Sequence, residues 1–268
     1  MSEIFDELVT IKANEPVAHG HCRVRFHAPK IAAKAQPGQF VNVKCGGKTL
    51  LRRPFSFSRA SGASFEIIVR VIGEGTLWLS EAEPGHQLRA LGPLGNGFRI
   101  DGEVRSAILV GGGCGIGPME MLGEALRKEG IETIALLGCE SKEMVPLEAA
   151  DLERLGIETH LAVMTGNGGH VGPVTDLLEN VLADAAHVEG RTVFACGPWP
   201  MLKKVAELTN ANELPCQVLL EEMMGCGMGA CMSCAVQVFQ PDGGVMNKKV
   251  CTDGPMFWAH EVDWDAKD

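Results

Sequence analysis

Residues 108–119 read Ile108-Leu109-Val110-Gly111-Gly112-Gly113-Cys114-Gly115-Ile116-Gly117-Pro118-Met119. A continuous apolar run, Ala107 to Val110, ends in a glycine string, and a helical pattern runs on from Pro118 to Lys128. A short apolar run bounded by glycine predicts a buried strand, and a proline at the start of the following pattern suits the first turn of a helix. Glycines permit positive φ and let a pyrophosphate approach the backbone, while the helix amino terminus faces its charge. Gly111, Gly112, Gly113, Gly115 and Gly117 are therefore candidate dinucleotide contacts. Tight packing turns also use glycine strings; the strand-to-helix context favours the nucleotide.

The same rhythm continues downstream. Strands are expected at Thr133 to Leu137, Ile157 to Val163 and Thr192 to Ala195. Helices are expected near Leu147 to Leu155, from Pro173 to Leu182 and from Pro198 to Thr209. Strands alternating with helices of this length predict βαβ units, a parallel sheet and right-handed crossovers. Cys196-Gly197-Pro198 closes the last strand, and the carboxyl ends of parallel strands are where ligands sit in open α/β sheets. A plain strand-to-helix turn with a buried cysteine reads the same way. Glu140, just past the second strand, would repel a 2′-phosphate and tilts the reading towards NADH over NADPH; a solvated loop residue reads the same way.

Upstream, from about Val9 to Ile100, short β segments are broken by turn residues. The segments are Cys22 to Phe26, Gln39 to Val43, Ser64 to Val71 and Gln87 to Ala90. Pro37-Gly38, Gly46-Gly47, Gly73-Glu74-Gly75 and Pro84-Gly85 separate them. This punctuation predicts an antiparallel barrel or sandwich, with Gly92-Pro93-Leu94-Gly95 as its exit. Within it, Arg52-Arg53-Pro54-Phe55-Ser56 combines cations, a rigid turn residue, an aromatic ring and a hydroxyl, a set that suits a phosphate and a flat ring. Gly75-Thr76 opens a short helix-like stretch that could present N–H groups to phosphate.

The last zone, from about Pro215, is rich in glycine, methionine and cysteine. It reads Gly225-Cys226-Gly227-Met228-Gly229-Ala230-Cys231-Met232-Ser233-Cys234, with Cys251 later. C-x4-C-x2-C with a distant fourth cysteine is the ligand spacing of plant-type 2Fe–2S proteins. Small residues between the ligands let backbone N–H groups turn towards the sulfurs. Structural zinc sites more often use two C-x2–4-C hairpins, and here Cys251 stands alone. A segment this short and loop-rich needs a staple such as a metal. Met223, Met224, Met228 and Met232 surround the ligands, either as a docking face or as packing that shields them from water.

Bulk composition narrows the classes. The 268 residues carry a formal charge of −10, which disfavours nucleic acid as a partner. No apolar run approaches the roughly 20 residues of a membrane helix, and Met1 to Lys12 lacks a signal pattern, so a cytoplasmic location is expected. Ten cysteines in a reducing compartment point to a metal rather than to a disulfide framework. The expected division is 1–101, 102–214 and 215–268.

The order of these motifs resembles the ferredoxin–NADP reductase superfamily along nearly the whole chain. It is most similar to the electron transfer subunits of NAD-linked dihydroorotate dehydrogenases. Arg53-Pro54-Phe55-Ser56, Gly73-Glu74-Gly75-Thr76, the Gly111 to Met119 loop, Cys196-Gly197-Pro198, Leu220-Glu221-Glu222 and the cysteines through Cys251-Thr252-Asp253-Gly254-Pro255 carry the resemblance. It implies an α+β multidomain fold: an antiparallel β-barrel for FAD, an α/β parallel-sheet domain for NAD(H), and a small carboxy-terminal iron–sulfur domain. It further implies that Arg53, Pro54, Phe55, Ser56, Val69, Arg70, Val71, Gly75 and Thr76 contact FAD. Many relatives carry tyrosine in the first motif; this chain has no tyrosine, and Phe55 keeps the ring without the hydroxyl. The implied partner is an FMN-containing catalytic dihydroorotate dehydrogenase subunit in a heterotetramer. Flavin subunits of bifurcating oxidoreductases usually carry aspartate where this chain has Cys226. Those of hydrogenases and sulfite reductases share all four cysteines, as would a self-contained flavin reductase. A redox sensor is the non-enzymatic alternative.

Overall fold

The computed structural model describes residues 3–46, 49–144, 148–184 and 189–266. Gly47 of the expected Gly46-Gly47 break and the expected helix start at Leu147 lie outside them.

The first half is a closed barrel of β1 (Phe5–Ala18), β2 (His21–His27), β3 (Phe40–Val43), β4 (Arg53–Ser61), β5 (Ser64–Arg70) and β6 (Gln87–Leu94). Around it the strands run β1-β2-β5-β4-β3-β6. Two helices interrupt the strands, α1 (Pro29–Ala32) and α2 (Glu74–Glu81). Alternation builds the core: Cys22, Val24 and Phe26 of β2 point inward between residues that stay at least partly exposed. Phe65 stacks on Phe26 at 5.1 Å and meets Phe57 edge-on at 5.2 Å. The Arg52–Ser56 segment leads into and opens β4, where Pro54 pairs with Asn42 and Ser56 with Phe40 of β3.

The second half is a seven-stranded sheet. Its elements are β7 (Ser106–Gly112), α3 (Gly117–Lys128), β8 (Glu132–Cys139), α4 (Glu148–Arg154), β9 (Glu158–Val163), β10 (His170–Val171), α5 (Val174–Asp184), β11 (Arg191–Cys196), α6 (Trp199–Ala211) and β12 (Cys216–Leu219). A two-stranded hairpin of β13 (Ala235–Phe239) and β14 (Val245–Lys249) follows, and then β15 (Met256–Trp258). The sheet order is β10-β9-β8-β7-β11-β12-β15.

Two features depart from the sequence expectation. The sheet is not wholly parallel, because β15 returns from the cysteine segment and pairs antiparallel with β12. The expected boundary at 214/215 also falls just ahead of β12, which pairs parallel with β11 inside the sheet. Four residues are too few to show a period, so only pairing reveals β12 as a strand.

The two halves are stitched together by side-chain amides that imitate strand pairing. Gln217 of β12 accepts from the Arg99 N–H and donates to the Arg99 carbonyl, both at 2.8 Å. Asn96, at the barrel exit, donates to the carbonyls of Thr252 at 2.9 Å and Asp253 at 3.0 Å. Among the described residues, no helix is long and apolar enough to cross a membrane.

Candidate functional site

A cavity of about 510 Å³ opens where the barrel, the sheet and the cysteine segment meet. β4 contributes Arg53, Pro54, Phe55 and Ser56, β5 contributes Ile68 and Arg70, and α2 contributes Thr76. From the sheet come Cys114, Gly117 and Pro118, and from the approach to the cysteines Leu219 to Met224. The lining is mostly apolar, with Arg53 and Arg70 as its cations and Glu221 and Glu222 as its carboxylates, and the apolar wall with two guanidiniums suits a flat ring system carrying phosphates.

Strand alternation sorts the expected Val69-Arg70-Val71 trio. Arg70 faces the cavity with Ile68, whereas the Val69 side chain is fully buried in the barrel core and leaves only its backbone for a ligand. Val71 does not line the cavity; Ile72 does. The Thr76 hydroxyl accepts from the N–H groups of Ile72 at 3.0 Å and Gly73 at 3.1 Å, which fixes the turn into α2. Gly75 is buried there, and a Cβ would stand 3.4 Å from the Arg53 Nε.

The glycine loop and the Cys196 turn are brought together by register. Gly111 of β7 pairs with Cys196 of β11 in the parallel ladder. Gly115 lies so close to that turn that a Cβ would fall 2.1 Å from the Cys196 carbonyl oxygen. A Cβ on Gly112 would sit 2.5 Å from Met201 Sδ and 3.1 Å from Pro198 Cδ, in the turn continued by Gly197. Gly113, at φ +55, leaves open space above it. The loop then enters α3 at Gly117, whose N–H donates to the Cys114 carbonyl, and Gly117 and Pro118 line the cavity.

Two thiols stand beside this turn. Burial, then Glu221, pushes Cys114 up to about 11, against the opposing pull of Arg70. Burial drives Cys196 well above the ordinary thiol value. Both are neutral thiols at physiological pH, which is not the state of a reactive nucleophile. Glu221 stands open to the cavity, yet protein surrounds it closely enough that burial raises its pKa.

The four cysteines form two pairs. Cys226 and Cys231 are half-exposed, with the Cys231 N–H donating to the Cys226 sulfur; Cys234 and Cys251 are buried and near enough for each to act on the other's charge. Among the described residues, no three His, Cys, Asp or Glu donors converge as a single ion needs. Two pairs of thiols fit a group with two irons, each taking two. The Cys226 sulfur accepts from the N–H of Cys231 at 3.3 Å and of Met228 at 3.5 Å. Burial opposes the Cys226 thiolate, but these donors outweigh it and its pKa falls to about 6. Burial and then Cys234 push Cys251 up to about 11. The loop can close because Gly227 and Gly229 take φ values of +69 and +83.

Sequence reasoning missed Phe40, Ile68, Ile72 and Leu219 in the cavity wall, and placed Met223 and Met224 beside the cysteines without seeing that they line it. Alternation from Arg70 could have found Ile68 and Ile72; the others are adjacent only in the folded chain. Met224 and Pro255 line the cavity, while Cys226 and Cys251 lie two and four residues away along the chain.

A barrel with a cation-edged cavity, a glycine-looped sheet and a four-cysteine loop together define an iron–sulfur flavoprotein oxidoreductase of the ferredoxin-reductase type. The family model for the iron–sulfur cluster binding domain of dihydroorotate dehydrogenase B matches residues 221–263. A Bacillus caldolyticus protein, the electron transfer subunit of dihydroorotate dehydrogenase B (NAD(+)), is 38% identical over 96% of this chain and 98% of its own. The subunit of the same name from Desulforamulus reducens is 34% identical over 99% and 100%. Among solved structures, an NADH-dependent reduced ferredoxin-NADP oxidoreductase described for flavin-based electron bifurcation superposes with a TM-score of 0.84. It has 28% identity, over 97% of this chain and 91% of that one. The ferredoxin reductase in carbazole 1,9a-dioxygenase shares the fold at a TM-score of 0.70 and 19% identity, over 79% and 67%. The chain belongs to the family of dihydroorotate dehydrogenase B (NAD(+)) electron transfer subunits.

Proposed function

We propose that this chain passes electrons between NAD(H), FAD and a 2Fe–2S cluster, to or from an FMN-containing catalytic dihydroorotate dehydrogenase subunit. It would do so in a cytoplasmic heterotetramer of pyrimidine biosynthesis. The observation that carries this reading is the shared wall. The cavity that fits a flavin is built partly from Met224 and Pro255, which flank the cysteine loop along the chain.

Flavin supplies a two-electron acceptor for hydride and the cluster a one-electron carrier. The residues do the placing. Arg53 and Arg70 put positive charge at the cavity edge for phosphate. Phe55 offers a ring without a hydroxyl. The Gly115–Cys196 contact holds the nucleotide turn against α3, whose first residue reaches the cavity. Glu140 follows β8, its backbone carbonyl held by the Thr165 N–H at 3.0 Å and hydroxyl at 3.1 Å; a carboxylate on this side chain would disfavour a 2′-phosphate, which supports NADH. Hydride transfer between bound rings needs orientation rather than a general base, and none is assigned.

The test uses the purified chain with its flavin and cluster. It should reduce artificial acceptors with NADH and leave orotate and dihydroorotate untouched until a catalytic subunit is added. Orotate reduction by the chain alone would overturn the division of labour. Co-purification with a different oxidoreductase would assign the chain to another complex.

A further inference from the structure

Strand β3 has two faces. Val41 and Val43 fill the barrel core, so Phe40 and Asn42 point outward to the cysteine segment. Phe40 lines the cavity and packs in the same core as Cys234 and Cys251. Asn42 lies one alternation further along, beside the cysteine loop. It is 2% exposed, and its Oδ1 is buried without a hydrogen-bond partner. Its Nδ2 lies against Gly227, the residue after Cys226, so closely that a Cβ there would stand 1.8 Å from it.

A polar group buried without a partner destabilises a fold, and an apolar residue of this size would pack the junction at no such cost. The two ends of a carboxamide exchange by a half-turn, so either nitrogen or oxygen can face the loop. The sulfurs next to Gly227 carry negative charge when a cluster is bound, and they attract N–H donors. Two backbone N–H groups already turn onto the Cys226 sulfur.

Resting on the iron–sulfur reading above, we propose that the Asn42 side-chain amide donates a hydrogen bond to a sulfur on the Cys226–Cys231 side of the cluster. This bond stabilises the reduced cluster and sets its potential against that of the flavin. Asn42 acts from the strand paired with the Pro54-Phe55-Ser56 segment, so the same backbone ladder that shapes the flavin cavity carries the donor.

The experiment uses the full chain loaded with flavin and cluster and isotope-labelled at the asparagine side-chain nitrogen. Pulsed EPR of the reduced cluster should show a hyperfine coupling to that nitrogen, lost in Asn42→Leu. A redox titration followed by EPR should show Asn42→Leu moving the electron share about tenfold towards the flavin, which is about 59 mV for one electron. Asn42→Asp keeps the shape without the donor and should move it at least as far. An intact cluster with no asparagine coupling in the unsubstituted chain, or an unchanged potential in a cluster-loaded Asn42→Leu chain, overturns the proposal. If Asn42→Leu fails to hold a cluster, the coupling in the unsubstituted chain decides alone. Absence of any 2Fe–2S signal in that chain would instead remove the reading on which the proposal rests.

Discussion

The guanidinium of Arg23, on β2 of the barrel, meets the carboxylate of Asp151, on α4 of the sheet domain, at 2.6 Å. Arg59 of β4 adds a second contact to Asp151 at 3.2 Å and also pairs with Glu120 of α3. Asp151 and Glu120 are 4% and 2% exposed, so this is a buried ionic seam between domains. It holds α3, which begins at the glycine loop, against β4, which carries Arg53 to Ser56.

Asp151→Ala removes one carboxylate from a cluster in which Arg23 keeps Glu66 and Glu120 and Arg59 keeps Glu120. It should lower stability by about 1–3 kcal/mol, read as a drop in the urea midpoint. A loss below about 1 kcal/mol would show that the seam behaves like a surface pair.

Gly115→Ala should impair nucleotide use without releasing the flavin. Its Cβ would meet the Cys196 carbonyl at 2.1 Å, and backbone on both sides must shift. The KM for NADH should rise at least about tenfold, an expense of about 1.4 kcal/mol, while FAD content stays constant. Equal loss of FAD would place the glycine loop in the flavin site instead.

Cysteine substitutions should separate the two thiol pairs. Cys251→Ala removes a buried ligand from the inner pair and should abolish the cluster, measured as iron and sulfide per chain. Cys226→Asp offers oxygen at the half-exposed pair and should retain a cluster with altered EPR g values. Full iron retention in Cys251→Ala would exclude the four-cysteine assignment.

Glu140→Ala should relax the choice between NADH and NADPH. If its carboxylate repels a 2′-phosphate, its loss improves relative NADPH use by about tenfold, the size of one ionic contact of about 1.4 kcal/mol. Unchanged discrimination in kcat/KM ratios would mean that Glu140 is a solvated loop residue.

Glu221 connects the cavity to pH. Burial raises its pKa in the folded chain, so the folded state holds a proton more tightly than the unfolded state. Its effect is absent below the ordinary carboxylate pKa of about 4.3, and stability falls as pH rises from there through the raised value. Glu221→Gln should therefore raise the melting temperature at neutral pH and leave it unchanged in acid. An equal gain at both pH values would point to packing rather than ionisation.

Much of the architecture was legible because it is local. The glycine string after Val110, the alternation in Cys22 to Phe26 and the βαβ rhythm each lie within one element, and the corresponding strands and helices stand within a few residues of the reading. Other features depend on partners distant in sequence. β12 and β15 are four and three residues long and acquire their strand character only by pairing with β11 and with each other. The Val69-Arg70-Val71 trio looked uniform in sequence, but the barrel turns Val69 inward and Arg70 to the cavity.

The sequence by itself determined the three kinds of module and the four cysteines, because ligand spacing, glycine strings and strand periodicity are short-range constraints written in neighbouring residues. Only the tertiary structure decided that one cavity is shared by all three, that the cysteines stand as two pairs, and that Asn42 touches Gly227. Those contacts join residues far apart along the chain. They arise when the barrel closes and β15 folds back on β12, and no local pattern encodes either event.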